Sequence, residues 1–195
     1  MNVLPKPPWC GGAPDAVALE YHDRQLSYSE LLARTQTVTG LLTKMFADRE
    51  PGVVGIHIDD PLNLVIALLA TLDSGATVVP IEATIPAERV RAIIDDTDME
   101  FLLCDRVRKP GLDEALPGVR CIDCDDLIET DLSPGPIRPW HYLLLFTSGS
   151  TGRPKGVPFE ARLMLREGEK TASLLRIQPH DRVSHALSPT LLSGL

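Results

Sequence analysis

The stretch Leu143 to Val157, L-L-L-F-T-S-G-S-T-G-R-P-K-G-V, has residue types and spacing suited to holding an anion. Gly149 and Gly152 carry no side chain and reach backbone angles closed to other residues, so successive N–H groups can converge on one oxyanion. Thr147, Ser148, Ser150 and Thr151 add hydroxyl donors, and Lys155 supplies a positive charge. Pro154 fixes one dihedral just before that lysine, which limits how far the loop can wander. The chemistry this pattern supports is phosphate binding.

A loop that grips a phosphate needs firm flanks. Leu143-Leu144-Leu145-Phe146 has the length and side-chain types of a buried strand, and Pro-Lys-Gly-Val after the loop reads as a strand entry. A Gly/Ser/Thr linker would need neither flank. The G-x-x-x-x-G-K-[ST] loop of nucleotide triphosphatases fails at two positions. Pro154 precedes Lys155 where glycine is required, and Gly156 stands where the Mg²⁺-binding hydroxyl belongs.

Upstream, strands and helices alternate. Residues 1–14 hold four prolines and a Gly-Gly and read as an irregular leader. Val17 to Tyr21 is a short strand, with His22-Asp23 as its turn. Ser27 and Glu30 have capping-box spacing and open a helix whose stripe, Leu31, Val38, Leu42 and Met45, runs to about Phe46. Gly52 to Ile58 is a β-branched strand, and Pro61 opens a helix that is apolar nearly all round and stops at Gly75. Then follow a strand (Thr77 to Glu82), a helix (Pro86 to Asp95), a strand (Glu100 to Cys104), a short helix (Gly111 to Leu116) and a strand (Val119 to Ile122). Ser133 to Pro139, S-P-G-P-I-R-P, is a surface connection to the central strand. Beyond the loop, Glu160 to Arg176 reads as a helix with Leu163, Met164, Leu174 and Leu175 apolar and R-E-G-E-K facing water. The pattern predicts an α/β fold with a largely parallel sheet flanked by helices.

With 195 residues and 44% hydrophobic content, the chain can bury one sizeable core. A net charge of −8 argues against nucleic acid or an anionic membrane as partner, since those contacts use clustered Lys and Arg. The first residues lack the apolar core of a signal peptide, and the apolar run Leu62 to Leu72 is about half of the ~20 residues a bilayer demands. A cytoplasmic location is therefore expected. Cys121 and Cys124 form a C-x-x-C with no second pair and no His at finger spacing, so they read as ordinary thiols, and no metal site is assigned. His57 reads as a satisfied core histidine. His141 and Tyr142 read as ordinary residues, a place in the site being the weaker alternative. Asp95-Asp96 and Asp123 to Asp126 read as solvated helix and strand ends.

T-S-G-S-T-G-R-P-K-G resembles the phosphate-loop signature of the adenylate-forming superfamily, which contains acyl-CoA synthetases, adenylation domains of nonribosomal peptide synthetases and luciferases. L-S-Y-S-E-L (Leu26 to Leu31) resembles that family's first core motif. L-D-S-G-A-T-V-V-P-I-E (from Leu72) resembles its second, with Asp73, Thr77 and Glu82 where the commonest versions have Lys, Tyr and Asp. The residues after K-G-V are P-F-E-A, without the His that members often carry. D-R-V-S-H-A-L-S-P-T-L-L-S (Asp181 to Ser193) resembles the stretch that ends S-P-x-F-D-x-S in amino-acid-activating members. Aligned on Ser188-Pro189, it has Leu191 and Leu192 for Phe and Asp. The Asp holds the substrate α-ammonium in those members, so Leu192 argues against a free α-amino acid substrate.

The resemblance runs from about Pro14 onward and covers the first part of the family pattern. It implies that residues 15–195 are a truncated AMP-binding domain, the N-terminal portion of the large domain of an adenylate-forming enzyme. It implies that Thr147, Ser148, Gly149, Ser150, Thr151, Gly152 and Lys155 bind the phosphates of ATP, with Mg²⁺ as co-ligand and its protein ligand not in this chain. The reaction implied is activation of a carboxylic acid as acyl-AMP with release of pyrophosphate, then transfer to the thiol of CoA or of a carrier protein. The family's later motifs are not found, so no catalytic residue is assigned here and the isolated chain is expected to be inactive, to self-associate or to need a complementing chain. The alternative is a non-catalytic truncated nucleotide-binding or interaction module.

Overall fold

The structure is a computed structural model that describes residues 7, 10–46, 49–125, 134–148, 154–178 and 180–184. A β-hairpin, β1 (Val17–Tyr21) and β2 (Arg24–Ser27), turns through His22 at φ 55° and leads directly into α1 (Tyr28–Phe46). The predicted capping box closes the start of α1. The Ser27 N–H donates to Glu30 Oε2 at 2.8 Å and the Glu30 N–H donates to Ser27 Oγ at 3.2 Å. The hairpin partner β2 is absent from the sequence reading, because R-Q-L-S is too short and too polar to show an alternating pattern.

The main sheet contains β3 (Val53–His57), β4 (Thr77–Pro80), β5 (Phe101–Cys104), β6 (Arg120–Asp123), β7 (Tyr142–Ser148) and β8 (Pro154–Glu160), in spatial order β6-β5-β3-β4-β7-β8. Every pairing is parallel except β7 with β8. The crossover helices are α2 (Pro61–Asp73), α3 (Ala87–Asp95) and α4 (Lys109–Ala115), and α5 (Ala161–Leu174) follows β8. The alternation therefore gives the largely parallel, helix-flanked sheet that the sequence predicts, with one antiparallel strand at its edge.

Two apolar clusters cover the two faces of the sheet. Val54, Ile56, Val78, Leu103, Leu143 and Leu145 pack with α1 and α2 on one face. Val79, Leu102, Cys104 and Cys121 pack with α3 and α4 on the other. α2 is buried on most sides, as its composition predicts. It is capped by Asp60, whose Oδ1 accepts from the N–H groups of Leu62 and Asn63, and it stops at Gly75, which takes φ 81°. Among the described residues no helix is long and apolar enough to cross a membrane.

Three local features go beyond the sequence reading. The 134–140 segment is a surface connection, as expected, and it is held down as a strap. Gly135 is buried so closely on α1 that a Cβ there would lie 2.7 Å from Gly40 Cα, and the Arg138 N–H donates to the Asp73 carbonyl at 2.8 Å. The predicted helix after β8 forms, and its middle, Arg166 to Lys170, is exposed. Its apolar residues Leu163 and Leu174 are also exposed, at 49% and 83%, because no described element lies over them. Finally, Asp123 and Asp125 are not solvated ends. Asp123 Oδ2 accepts from Arg106 Nε at 2.9 Å, and Asp125 Oδ1 accepts from Asn63 Nδ2 at 2.8 Å.

Candidate functional site

The candidate phosphate stretch is bounded by β7 and β8, which pair antiparallel. β7 lies beside β4, with Leu143 in register with Val78. Its side chains alternate, as a strand buried on both faces requires: Leu143 and Leu145 enter the α1/α2 cluster, while Leu144 and Phe146 pack against the α3/α4 cluster. The apolar run that sets the strand therefore also anchors it.

The stem register decides which site residues meet. Thr147 pairs with Lys155, and Ser148 with Pro154, across the antiparallel ladder. The structure thus brings Thr147, Ser148 and Lys155 together at the carboxyl end of β7, with Lys155 exposed. Gly149, Ser150, Thr151 and Gly152 lie in the five-residue connection between those ends, outside the described residues. A loop closed at its base by paired strands has little freedom in how far its ends separate, which is the preorganisation an anion cradle needs.

Gly156 has a packing role that its sequence position does not announce. A Cβ there would stand 3.1 Å from Phe146 Cζ and 3.2 Å from Leu144 Cδ1, so the bare glycine lets both side chains lean across β8 beneath Thr147 and Lys155. β8 is the last strand of the sheet, where its two prolines, Pro154 and Pro158, are tolerated.

His141 and Tyr142 stand away from the loop. Tyr142 begins β7 and Ser148 ends it, which separates them by about 20 Å along the strand. The His141 carbonyl instead accepts the Ala161 N–H at 3.0 Å, tying the start of α5 to the opposite edge of the sheet.

His57 is buried, as expected of a core residue; Nδ1 has no hydrogen-bond partner of normal geometry, while the imidazole meets the backbone of Ile81 and Glu82. Burial pushes its pKa below the ordinary histidine value, opposed by hydrogen bonding to the Ile81 backbone; the nearby Arg108 guanidinium also lowers it, while Asp105 and the Glu82 backbone oppose that. The four cysteines are free and buried. Burial drives the Cys104 thiol up to about 12 and the Cys121 thiol up to about 11, and raises that of Cys124, so these groups are protonated at neutral pH. Among the described residues no group of three or more His, Cys, Asp or Glu side chains is placed to hold a metal ion.

The fold is that of the N-terminal large domain of adenylate-forming enzymes. It superposes on o-succinylbenzoate CoA synthetase (MenE) from Bacillus subtilis, solved with the acyl-adenylate intermediate OSB-AMP, with a TM-score of 0.82 and 25% identity over 97% of this chain and 51% of that one. MatB from Rhodopseudomonas palustris shares the fold at a TM-score of 0.81, with 20% identity and coverage of 93% and 38%. MenE has also been solved with ATP and magnesium ion. The sequence profile of the AMP-binding enzyme family matches residues 8–192, and the chain belongs to that family. One component of the linear gramicidin synthase from Brevibacillus parabrevis is 34% identical over 158 residues, which is 78% of this chain and 3% of that protein. The chain therefore spans about half of the MenE chain and a small part of the gramicidin synthase.

Proposed function

We propose that residues 15–195 are the N-terminal portion of an AMP-binding domain, and that the β7–β8 hairpin holds the β- and γ-phosphates of ATP during activation of a carboxylic acid. Thr147, Ser148, Ser150 and Thr151 donate hydroxyl hydrogen bonds, the Gly149 and Gly152 backbone permits close approach, and Lys155 adds a charge-assisted contact. The observation that carries this reading is the stem register, which sets Thr147 opposite Lys155 at the carboxyl end of β7, the strand next to the sheet's last. Exposed Lys155 on a glycine- and hydroxyl-rich hairpin fits a polyphosphate.

The hairpin's task in that chemistry is to neutralise and hold pyrophosphate as it leaves the α-phosphorus. Mg²⁺ would supply further charge neutralisation there, and the family resemblance assigns its protein ligand to a later motif. The acyl acceptor that follows is a thiol, of CoA or of a carrier protein. Leu192, standing where amino-acid-activating members have Asp, favours an acid without a free α-ammonium group.

Calorimetric titration with ATP and with pyrophosphate tests the assignment. Lys155→Ala is expected to weaken binding by about 1.5–3 kcal/mol, the worth of one charge-assisted contact. Equal affinities for the two proteins would remove Lys155 from the site.

A further inference from the structure

A sizeable cleft lies elsewhere at the same carboxyl end of the sheet. Its volume is about 1100 Å³. Adjacent strands β3 and β5 send their chains to opposite faces, β3 into α2 and β5 into α4, so their carboxyl ends diverge and leave a crevice. In open α/β sheets this switch point is where ligands bind. Asp59, Asp60 and Asn63 line one wall and Asp105, Arg106 and Arg108 the other, while Tyr21, Arg24 and Arg34 close over it from the β1–β2 hairpin and α1. The crevice is about 12 Å from β7 at ordinary strand spacing, and it shares no residue with the phosphate hairpin.

Donor and acceptor accounting gives the cleft its sign. Most of the acidic side chains are consumed in building the walls. Asp60 caps α2 and pairs with Arg24, Asp105 accepts from the Asp59 N–H and from Arg108, and Asp125 accepts from Asn63 and the Arg106 N–H. The free N–H groups at the start of α2 are spent as well, on Asp60. Arg34 is different: half-buried and lining the cleft, it donates no hydrogen bond among the described residues and meets only the Glu30 carboxylate through space. A guanidinium has five N–H donors in a fork that matches an oxyanion, and Arg24 beside it commits only one nitrogen, to Asp60. The Tyr21 ring, already under the Arg24 guanidinium at 5.9 Å, offers a flat apolar surface at the rim.

We propose that this cleft is a second anion site, independent of the β7–β8 hairpin, which takes a phosphate-bearing small molecule on Arg34 and Arg24. Asp59, exposed and ion-paired with Arg108 at 3.7 Å, engages the cation of the far wall and so leaves Arg34 and Arg24 as the partners of the anion.

The test is titration of the ¹⁵N-labelled chain with inorganic phosphate at constant ionic strength, with malonate as a carboxylate probe in a parallel arm. Saturable amide shifts at Arg34, Asp59 and Asn63 are expected. Arg34→Gln should weaken the phosphate effect about tenfold or more. Asp59→Asn, a change at an exposed side chain that keeps the backbone bond to Asp105, should strengthen it severalfold. Lys155→Ala should leave it unchanged, which separates this site from the hairpin. Absence of saturable shifts, response to malonate alone, indifference to both cleft substitutions, or loss of the shifts in Lys155→Ala would each overturn the proposal.

Discussion

The Asp73 carboxylate accepts a hydrogen bond from Trp140 Nε1 at 2.8 Å, although the two residues are 67 positions apart. Asp73 ends α2 and is 1% exposed, and its carbonyl also takes the Arg138 N–H. One residue therefore fixes the strap that delivers the chain to β7, and through β7 the base of the hairpin. Asp73→Ala leaves a half-buried indole N–H without its acceptor and should lower stability by about 1 kcal/mol. Asp73→Asn retains an acceptor and should cost less. Urea unfolding of the two variants gives the comparison, and equal losses would mean that the bond to Trp140 contributes nothing.

The strap has a second constraint at Gly135. A methyl group there meets the backbone of Gly40 and Thr39, which cannot rotate aside as a side chain can. Gly135→Ala should destabilise the chain by about 1–3 kcal/mol by overpacking. A neutral or stabilising effect on the urea midpoint would show that the strap does not seat on α1 in solution.

His57 gives the chain an acid-sensitive step. Its pKa is lowered in the fold, chiefly by burial, so between the folded and unfolded values the unfolded state binds more protons. Stability then rises with pH through that window, and is lost as pH falls below about 6.5. Protonation would place a cation beside Arg108, partly offset by Asp105. His57→Leu should flatten the stability profile between about pH 7 and pH 5, above the range where most carboxylates titrate. An unchanged profile in urea melts across that interval would remove His57 as the cause.

In the proposed function the hairpin would hold a leaving group and would do nothing to orient a carboxylate. The 195 residues alone should therefore show no carboxylate-dependent exchange of labelled pyrophosphate into ATP above background. Metal and lysine contacts of the kind that the family resemblance assigns to its later motifs are each worth about 10² to 10⁴ in rate. Robust exchange with any acid would mean that the chain contains catalytic groups that the hairpin reading misses.

What could be read from sequence follows how local each interaction is. The capping box of Ser27 and Glu30, the apolar α2 and the strand at Leu143 to Phe146 are all specified within a few residues, and each forms as expected. β2 is specified by its partner β1 rather than by its own four residues, so it gave no signal. Asp123 and Asp125 look like a solvated acidic turn until the fold brings Arg106 and Asn63 to them. The same is true of the site: the anion-binding residue types were legible, but the Thr147–Lys155 pairing depends on β8 folding back, and the β3/β5 crevice on strand order alone. His141 and Tyr142 are close to the loop in sequence and at the other end of the strand in space.

The surface formed by β8 and α5 bears on assembly. Leu163 and Leu174 are eleven residues apart, about three helical turns, so they stand on one side of α5, and both are exposed, with Leu175 and Ile177 continuing the apolar surface. A helix of 14 residues in which only Ala161 is buried gains little from tertiary packing, and most helical stability in proteins comes from that source. Strand addition at the neighbouring open edge is weakened by Pro154 and Pro158, each of which removes an N–H donor from β8. Association is therefore expected through the helix face rather than by sheet extension. Light scattering coupled to size-exclusion chromatography should find the wild-type chain above its 21.3 kDa monomer mass, and Leu163→Glu with Leu174→Glu should shift it toward the monomer. Because both side chains are exposed, the double substitution removes little core, so its effect on mass reports on the interface rather than on folding. A monodisperse wild-type monomer with a cooperative melt would instead mark the chain as a self-sufficient domain, and would favour a free-standing binding module over a portion of a ligase.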